Sequence, residues 1–143
     1  MTALREVCRQ VEHVDTDAGG VVHFSRYASL LETAVLDNFE RLGVGVRRLE
    51  RDGLELAVAE LRMNYFAPAR FFDQLRIQLK VDRVGGASCT LSGTVHSGQD
   101  CTGAVLAAGE LVICVVDREA GTATALPGEL RRVLRTCQDG EST

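Results

Sequence analysis

Two carboxylates stand two residues apart on a glycine-rich turn in the run Asp15-Thr16-Asp17-Ala18-Gly19-Gly20-Val21-Val22-His23-Phe24. Acids placed just before a helix admit two chemistries. They can shape the turn and favour the positive end of the helix dipole. Alternatively, one carboxylate acts as base or nucleophile on a carbonyl whose oxygen is held by exposed N–H groups of the first helical turn. The residues alone leave both readings open. Other site chemistries lack their residues. There is no G-x-S-x-G elbow, no G-x-x-x-x-G-K-[ST] phosphate loop and no G-x-G-x-x-G after a strand. The histidines His13, His23 and His96 lie far apart. The cysteines Cys8, Cys89, Cys101, Cys114 and Cys137 include no C-x-x-C pair, so they read as free thiols and no metal is expected.

The elements that must position these residues follow from hydrophobic period. Residues 5–14 read as a first strand, and DTDAGG as a turn. From Phe24 to Leu42 the period is helical, with Phe24, Tyr27, Ala28, Leu31, Ala34, Val35 and Leu42 on one buried stripe. Ser25 is the expected N-cap and Gly43 the stop. Residues 56–66, 75–82 and 87–97 alternate as strands with one dry and one wet face. Residues 104–116 are more continuously apolar, as expected of a central strand. Pro127 opens a short amphipathic helix carrying Leu130, Val133 and Leu134. One long helix and a mostly antiparallel sheet of about five strands must cover each other, so the class is α+β.

Composition narrows the function classes. The chain has 143 residues, 45% of them hydrophobic, and a net charge of −4. That length suits one domain with an ordinary core, expected over residues 1–137, with 138–143 as a disordered tail. The acidic balance argues against a nucleic-acid groove. The charged first 20 residues do not resemble a secretory signal, and no apolar run reaches the ~20 residues that cross a bilayer. No membrane partner and a cytoplasmic location are therefore expected.

The run D-T-D-A-G-G-V-V-H-F-S-R-Y, with Glu32 five residues beyond Tyr27, resembles the opening signature of the hotdog-fold acyl-CoA thioesterases. The nearest branch is that of 4-hydroxybenzoyl-CoA thioesterase and the Tol-Pal-associated acyl-CoA thioesterases. Weaker likenesses follow in order: Asn64-Tyr65-Phe66-Ala67-Pro68-Ala69-Arg70, Val84-Gly85-Gly86-Ala87-Ser88 and Ala125-Leu126-Pro127. The resemblance implies a long central helix wrapped by the sheet, and hydrolysis of an acyl-CoA thioester to the free acid and coenzyme A, with no cofactor. It implies Asp17 as nucleophile or general base, and the Phe24 backbone N–H, with neighbouring His23, as oxyanion donor. Coenzyme A contacts fall on Gly86, Ala87 and Ser88, with Arg83 as phosphate partner. A homodimer is the implied minimum, a tetramer its extension, with sites at the seam.

The chain departs from the family in reading His23-Phe24 where an aromatic followed by His or Tyr is frequent. His23 is read as packing or surface more than pocket, and Asp15 as a turn anchor. Glu32 is read as a buried, hydrogen-bonded structural acid, although another hotdog branch places its catalytic glutamate on this helix. The stretch Phe39-Glu40-Arg41-Leu42-Gly43-Val44 is similar to enzymes acting on 1,4-dihydroxy-2-naphthoyl-CoA, which favours an aromatic acyl group. The alternatives are an acyl-carrier-protein thioesterase, a hotdog hydratase using His23, and a non-catalytic acyl-CoA sensor.

Overall fold

Alternating apolar residues on four long segments build one antiparallel sheet, and the concave face of that sheet holds the long helix. The computed structural model describes residues 3–98 and 103–141, so Cys101 lies outside the described residues. The elements run β1 (Val7–Gln10), α1 (Phe24–Arg41), α2 (Val46–Arg51), β2 (Leu54–Tyr65), β3 (Gln74–Val84), β4 (Ser88–Ser97), β5 (Val105–Asp117), β6 (Thr122–Thr124) and α3 (Gly128–Glu141). The strand order is β1-β3-β4-β5-β2, with β6 paired to β5. This is the α+β sheet-around-helix arrangement expected, with β6 as an additional short strand. Among the described residues, no helix is long and apolar enough to cross a membrane.

On β3 to β5, every second residue faces the helix. Leu75, Ile77, Val81, Leu91, Val95, Leu111, Ile113 and Val115 are all buried, in one core shared by α1 and α3. Burial of this much aliphatic surface, at about 25 cal/mol per Å², supplies the main driving force for the fold. The α1 residues Tyr27, Leu30, Leu31, Ala34, Val35 and Phe39 form the matching stripe. Asn38 joins them as a buried amide; its side chain bonds Ala34 O at 2.9 Å, and both backbone groups of Arg5. The N-terminal segment is thereby tied to the helix.

Several sequence expectations are corrected. The first strand ends at Gln10 rather than residue 14, because His13–Asp15 turn into a single 3-10 turn that Asp15 caps through Glu12 N at 2.9 Å. The N-cap of α1 is His23, not Ser25: His23 Nδ1 accepts the Ser25 N–H. Phe24 is 65% exposed rather than part of the buried stripe, since its ring lines an open surface pocket. The short helix α2 is an addition to the expected elements; only its Leu49 is buried. Gly43 does end α1, with φ at 80°, where a residue bearing Cβ is strained. The last helix continues to Glu141, into the segment expected to be a tail.

Candidate active site

Asp15, Thr16 and Asp17 enter a narrow loop whose two limbs are bridged at Thr16 and Val22. Asp17 N donates to Val21 O at 2.9 Å, and Gly20 N to Asp17 O at 3.1 Å. Gly20, at φ 81°, turns the chain back. The Asp17 side chain is exposed, and its Oδ1 accepts from Gly19 N at 2.8 Å. Among the described residues no donor is paired with Oδ2. This carboxylate therefore keeps one oxygen available at the tip of a fixed turn.

Asp15 is its opposite. It is 1% exposed, and its carboxylate lies between Arg9 and Arg26, at 3.0 Å from Arg9 and 2.9 Å from Arg26. Burial by itself would raise this carboxyl. The Glu12 N–H, the Arg26 hydrogen bond and the charges of Arg9 and Arg26 outweigh it and hold Asp15 below the usual aspartate range. The expected turn anchor is thus an ion-paired one.

The start of α1 leaves one amide for a ligand. His23 N donates to Asp15 O at 2.8 Å, Ser25 N to His23 Nδ1 at 3.2 Å and Arg26 N to His23 O at 2.9 Å. Among the described residues no acceptor is paired with the Phe24 N–H, which lies at the positive end of an 18-residue helix. His23 also bonds Ser25 Oγ through Nδ1 at 2.8 Å and stacks on the Phe24 ring at 4.4 Å. Its Nδ1 is thus occupied as a cap, which requires that nitrogen unprotonated toward Ser25 N–H.

Beside this amide opens a pocket of about 290 Å³, walled by Phe24, Tyr27, Tyr65, Phe66 and Pro68. Tyr65 Oη donates to Phe24 O at 3.1 Å and meets the Tyr27 ring edge-on at 5.5 Å. Burial holds the Tyr27 phenol above its ordinary range. The place of Tyr65 and Phe66 in this wall is an addition to the expected site, although the Asn64–Arg70 motif marks their segment. Tyr65 stands 41 residues from Phe24, and only the fold bridges that separation.

The remaining expected site residues lie elsewhere. Glu32 is exposed rather than buried, and among the described residues its carboxylate has no hydrogen-bond partner. It lines a second pocket of about 330 Å³ whose walls include Val35, Leu49, Leu54, Val58 and Ile113. Arg83 lies near the end of β3, Ser88 opens β4, and Gly86 and Ala87 stand in the turn between them, where Gly85 N donates to Ser88 O at 2.8 Å and Leu126 N to Gly86 O at 2.9 Å. The Asp17 loop meets β3 at the other end, through Val11 N to Asp73 O at 2.8 Å and the Val21–Arg70 bridge. An 11-residue strand separates the two ends by roughly 33 Å, so within one chain the Asp17 loop and the start of α1 lie at one end of β3 and the Arg83–Ser88 segment at the other.

Comparison with known proteins bears on this arrangement. A profile described as the thioesterase-like superfamily matches residues 11–134. The acyl-CoA thioester hydrolase YbgC of Escherichia coli is 27% identical over 118 residues, 82% of this chain and 86% of that protein. A 1,4-dihydroxy-2-naphthoyl-CoA hydrolase of Synechococcus sp. is 29% identical over 142 residues, 94% of this chain and 92% of that one. Among solved structures, the probable thioesterase YbaW of Escherichia coli is similar with a TM-score of 0.77 at 26% identity, covering 92% of this chain and 97% of that one.

Proposed function

The chain belongs to the thioesterase-like superfamily and is a thioester hydrolase of the hotdog fold, and on that premise we propose that it cleaves aromatic acyl-CoA thioesters with Asp17 as the reacting carboxylate. The observation that carries this reading is the single unclaimed amide of Phe24 beside an aromatic pocket, with the Asp17 loop entering the same helix N-terminus. A thioester carbonyl oxygen held on that N–H gains negative charge where a backbone donor and the helix dipole favour it. Asp17 either attacks the carbonyl carbon, expelling coenzyme A thiolate and leaving a mixed anhydride for water to open, or takes a proton from the attacking water. Both routes end in the free acid and coenzyme A. Thiolate is a good leaving group, so neither needs a strong general acid.

Aromatic walls favour a planar acyl group, since ring pairs add about 0.5–1.5 kcal/mol beyond area burial. The name of the Synechococcus relative, a 1,4-dihydroxy-2-naphthoyl-CoA hydrolase, points the same way. Hydroxylated acyl groups such as 1,4-dihydroxy-2-naphthoyl or 4-hydroxybenzoyl also suit Glu32, an acceptor with no hydrogen-bond partner among the described residues, in a pocket that is mainly apolar apart from Glu50, Glu55 and Arg118.

The working unit is a homodimer joined along β2. This strand ends the sheet order, runs 12 residues and exposes Val58, Leu61 and Tyr65. A long strand edge without a partner among the described residues is a pairing surface, and these apolar side chains stand along it between charged ones. Antiparallel pairing about the strand centre sets the Leu54 end of one copy against the Tyr65 end of the other. The Glu32 pocket and the Arg83–Ser88 turn of one subunit then lie at the same end as the partner's Asp17 loop. That arrangement lets one coenzyme A ester reach all the expected site residues. A carrier-protein thioester presents the same phosphopantetheine arm and is the second substrate to try. The test is coenzyme A release across a thioester panel, with aromatic esters expected to lead.

A further inference from the structure

Resting on the reading of Asp17 as the reacting carboxylate, we infer that Asp15 and Arg26 are positioning residues, whose buried ion pair holds the Asp17 loop in register with the Phe24 amide. Asp15 makes contact with β1, the 3-10 turn and the start of α1. Its Oδ1 accepts Arg26 Nε at 3.0 Å, from the first turn of α1. Both its oxygens accept Arg9, at 3.1 and 3.0 Å, from β1. Its Oδ2 also accepts Glu12 N at 2.9 Å. Its backbone oxygen takes the His23 N–H at 2.8 Å, one residue before Phe24. Through side chain and main chain together, Asp15 fixes the strand end, the 3-10 turn and the helix start relative to one another.

Asp17 lies two residues further on, and among the described residues its side chain makes no hydrogen bond beyond its own turn. The loop is closed within itself by Asp17 N to Val21 O and the Thr16–Val22 bridge, so Asp15 acts on how that closed loop as a whole sits against the start of α1. Of the two guanidinium partners, Arg9 joins Asp15 to the sheet, whereas Arg26 joins it to the helix bearing the oxyanion amide. Together with the His23 N–H on Asp15 O, the Arg26 contact sets the loop against the helix start. A displacement of about 1 Å between reacting groups can lower turnover about 10²-fold. A buried ion pair that served stability alone would, in contrast, shift melting and leave turnover unchanged.

The full-length protein carrying Arg26→Ala or Arg26→Lys tests this, with Asp15→Asn as a third variant. Two readouts are taken: steady-state kinetics on 4-hydroxybenzoyl-CoA and 1,4-dihydroxy-2-naphthoyl-CoA, and amide hydrogen exchange over residues 15–24. For Arg26→Ala, kcat should fall about 10²-fold with KM changed less than about threefold. Exchange in the 16–22 loop should accelerate while β3, β4 and β5 exchange as in the wild type. Added guanidinium should restore part of the lost kcat, and Arg26→Lys, which keeps charge but not the planar fork, should fall between. Wild-type kcat in Arg26→Ala, or unchanged loop exchange, would overturn the inference. The exchange readout needs no substrate, so the two claims fail separately. A wild-type protein that cleaves no thioester removes the Asp17 reading, and a loop indifferent to Arg26 removes the positioning role.

Discussion

Gly93 on β4 and Gly109 on β5 stand directly opposite each other beneath Leu31 of α1. A Cβ on Gly93 would lie 2.7 Å from Leu31 Cδ2, and one on Gly109 would lie 2.7 Å from Leu31 Cδ1 and 3.0 Å from Arg62 O. The helix can lie this close to the sheet because two side chains are missing at the crossing. Gly109→Ala should therefore destabilise the fold by about 1–3 kcal/mol through overpacking. Combined with Leu31→Ala, part of that cost should vanish, because both changes act on the same space. Chemical denaturation of the single and double variants measures the coupling, and simple additivity would count against it.

The β2 edge makes a second prediction. Leu61 is 46% exposed on a strand whose outer side has no neighbour among the described residues. Leu61→Lys should weaken self-association about tenfold or more, as charge at the centre of an apolar contact does. Sedimentation velocity over a concentration series would detect it. A wild-type protein that stays monomeric at all concentrations would remove the two-copy site.

Capping by His23 is a third. If the imidazole serves by accepting the Ser25 N–H, His23→Asn should keep most of the turnover and stability. His23→Ala should lose about 1 kcal/mol of stability, the usual worth of an N-cap. Thermal melts and kcat on the two variants separate this from a catalytic imidazole, for which Asn would be as damaging as Ala.

Asp15 gives stability an acid limb. Its folded carboxyl titrates below the ordinary value of 3.8, so its ion pairs contribute fully above that value. They are lost as pH falls through the lower, folded value. The difference in unfolding free energy between wild type and Asp15→Asn should be constant near neutrality and shrink below about pH 4. Denaturation curves at a series of acid pH values would show a flat difference if the pairing were unimportant.

What is legible in the sequence, and what is not, has a physical pattern. The α1 stripe is readable because three- to four-residue spacing must bury one face, and Gly43 is readable because a left-handed stop favours glycine. Phe24 fits the same spacing but its ring lines an open pocket beside Tyr65 and Phe66, so period alone misplaces it. The helix α2, VRRLER, buries only Leu49 and so carries almost no periodic signal. Burial is the natural expectation for Glu32 because it sits midway along a core helix, yet β2 leaves that side open. The Asp17 turn is visible as a motif, while the partners that fix its neighbour, Arg9 and Arg26, come from either side of it with no spacing rule to mark them. Nor does anything in the sequence show that Phe72 takes φ 73° and stacks on Phe71 at 4.0 Å.

The most direct measurement of the central claim is coenzyme A release by wild type, Asp17→Asn and Glu32→Gln. The panel spans benzoyl, 4-hydroxybenzoyl, phenylacetyl, dihydroxynaphthoyl and aliphatic thioesters, followed by chromatography because five protein thiols would consume a thiol reagent. In Asp17→Asn the side-chain carbonyl oxygen can still accept the Gly19 N–H, so the turn and fold should survive. Turnover in Asp17→Asn should fall at least about 10²-fold on every ester, the scale for loss of an acid–base group. Glu32→Gln should keep turnover on unsubstituted esters and lose preference for hydroxylated ones, with little change in melting. Full activity in Asp17→Asn, with turnover abolished in Glu32→Gln, would contradict the account and move the reacting carboxylate to the middle of α1.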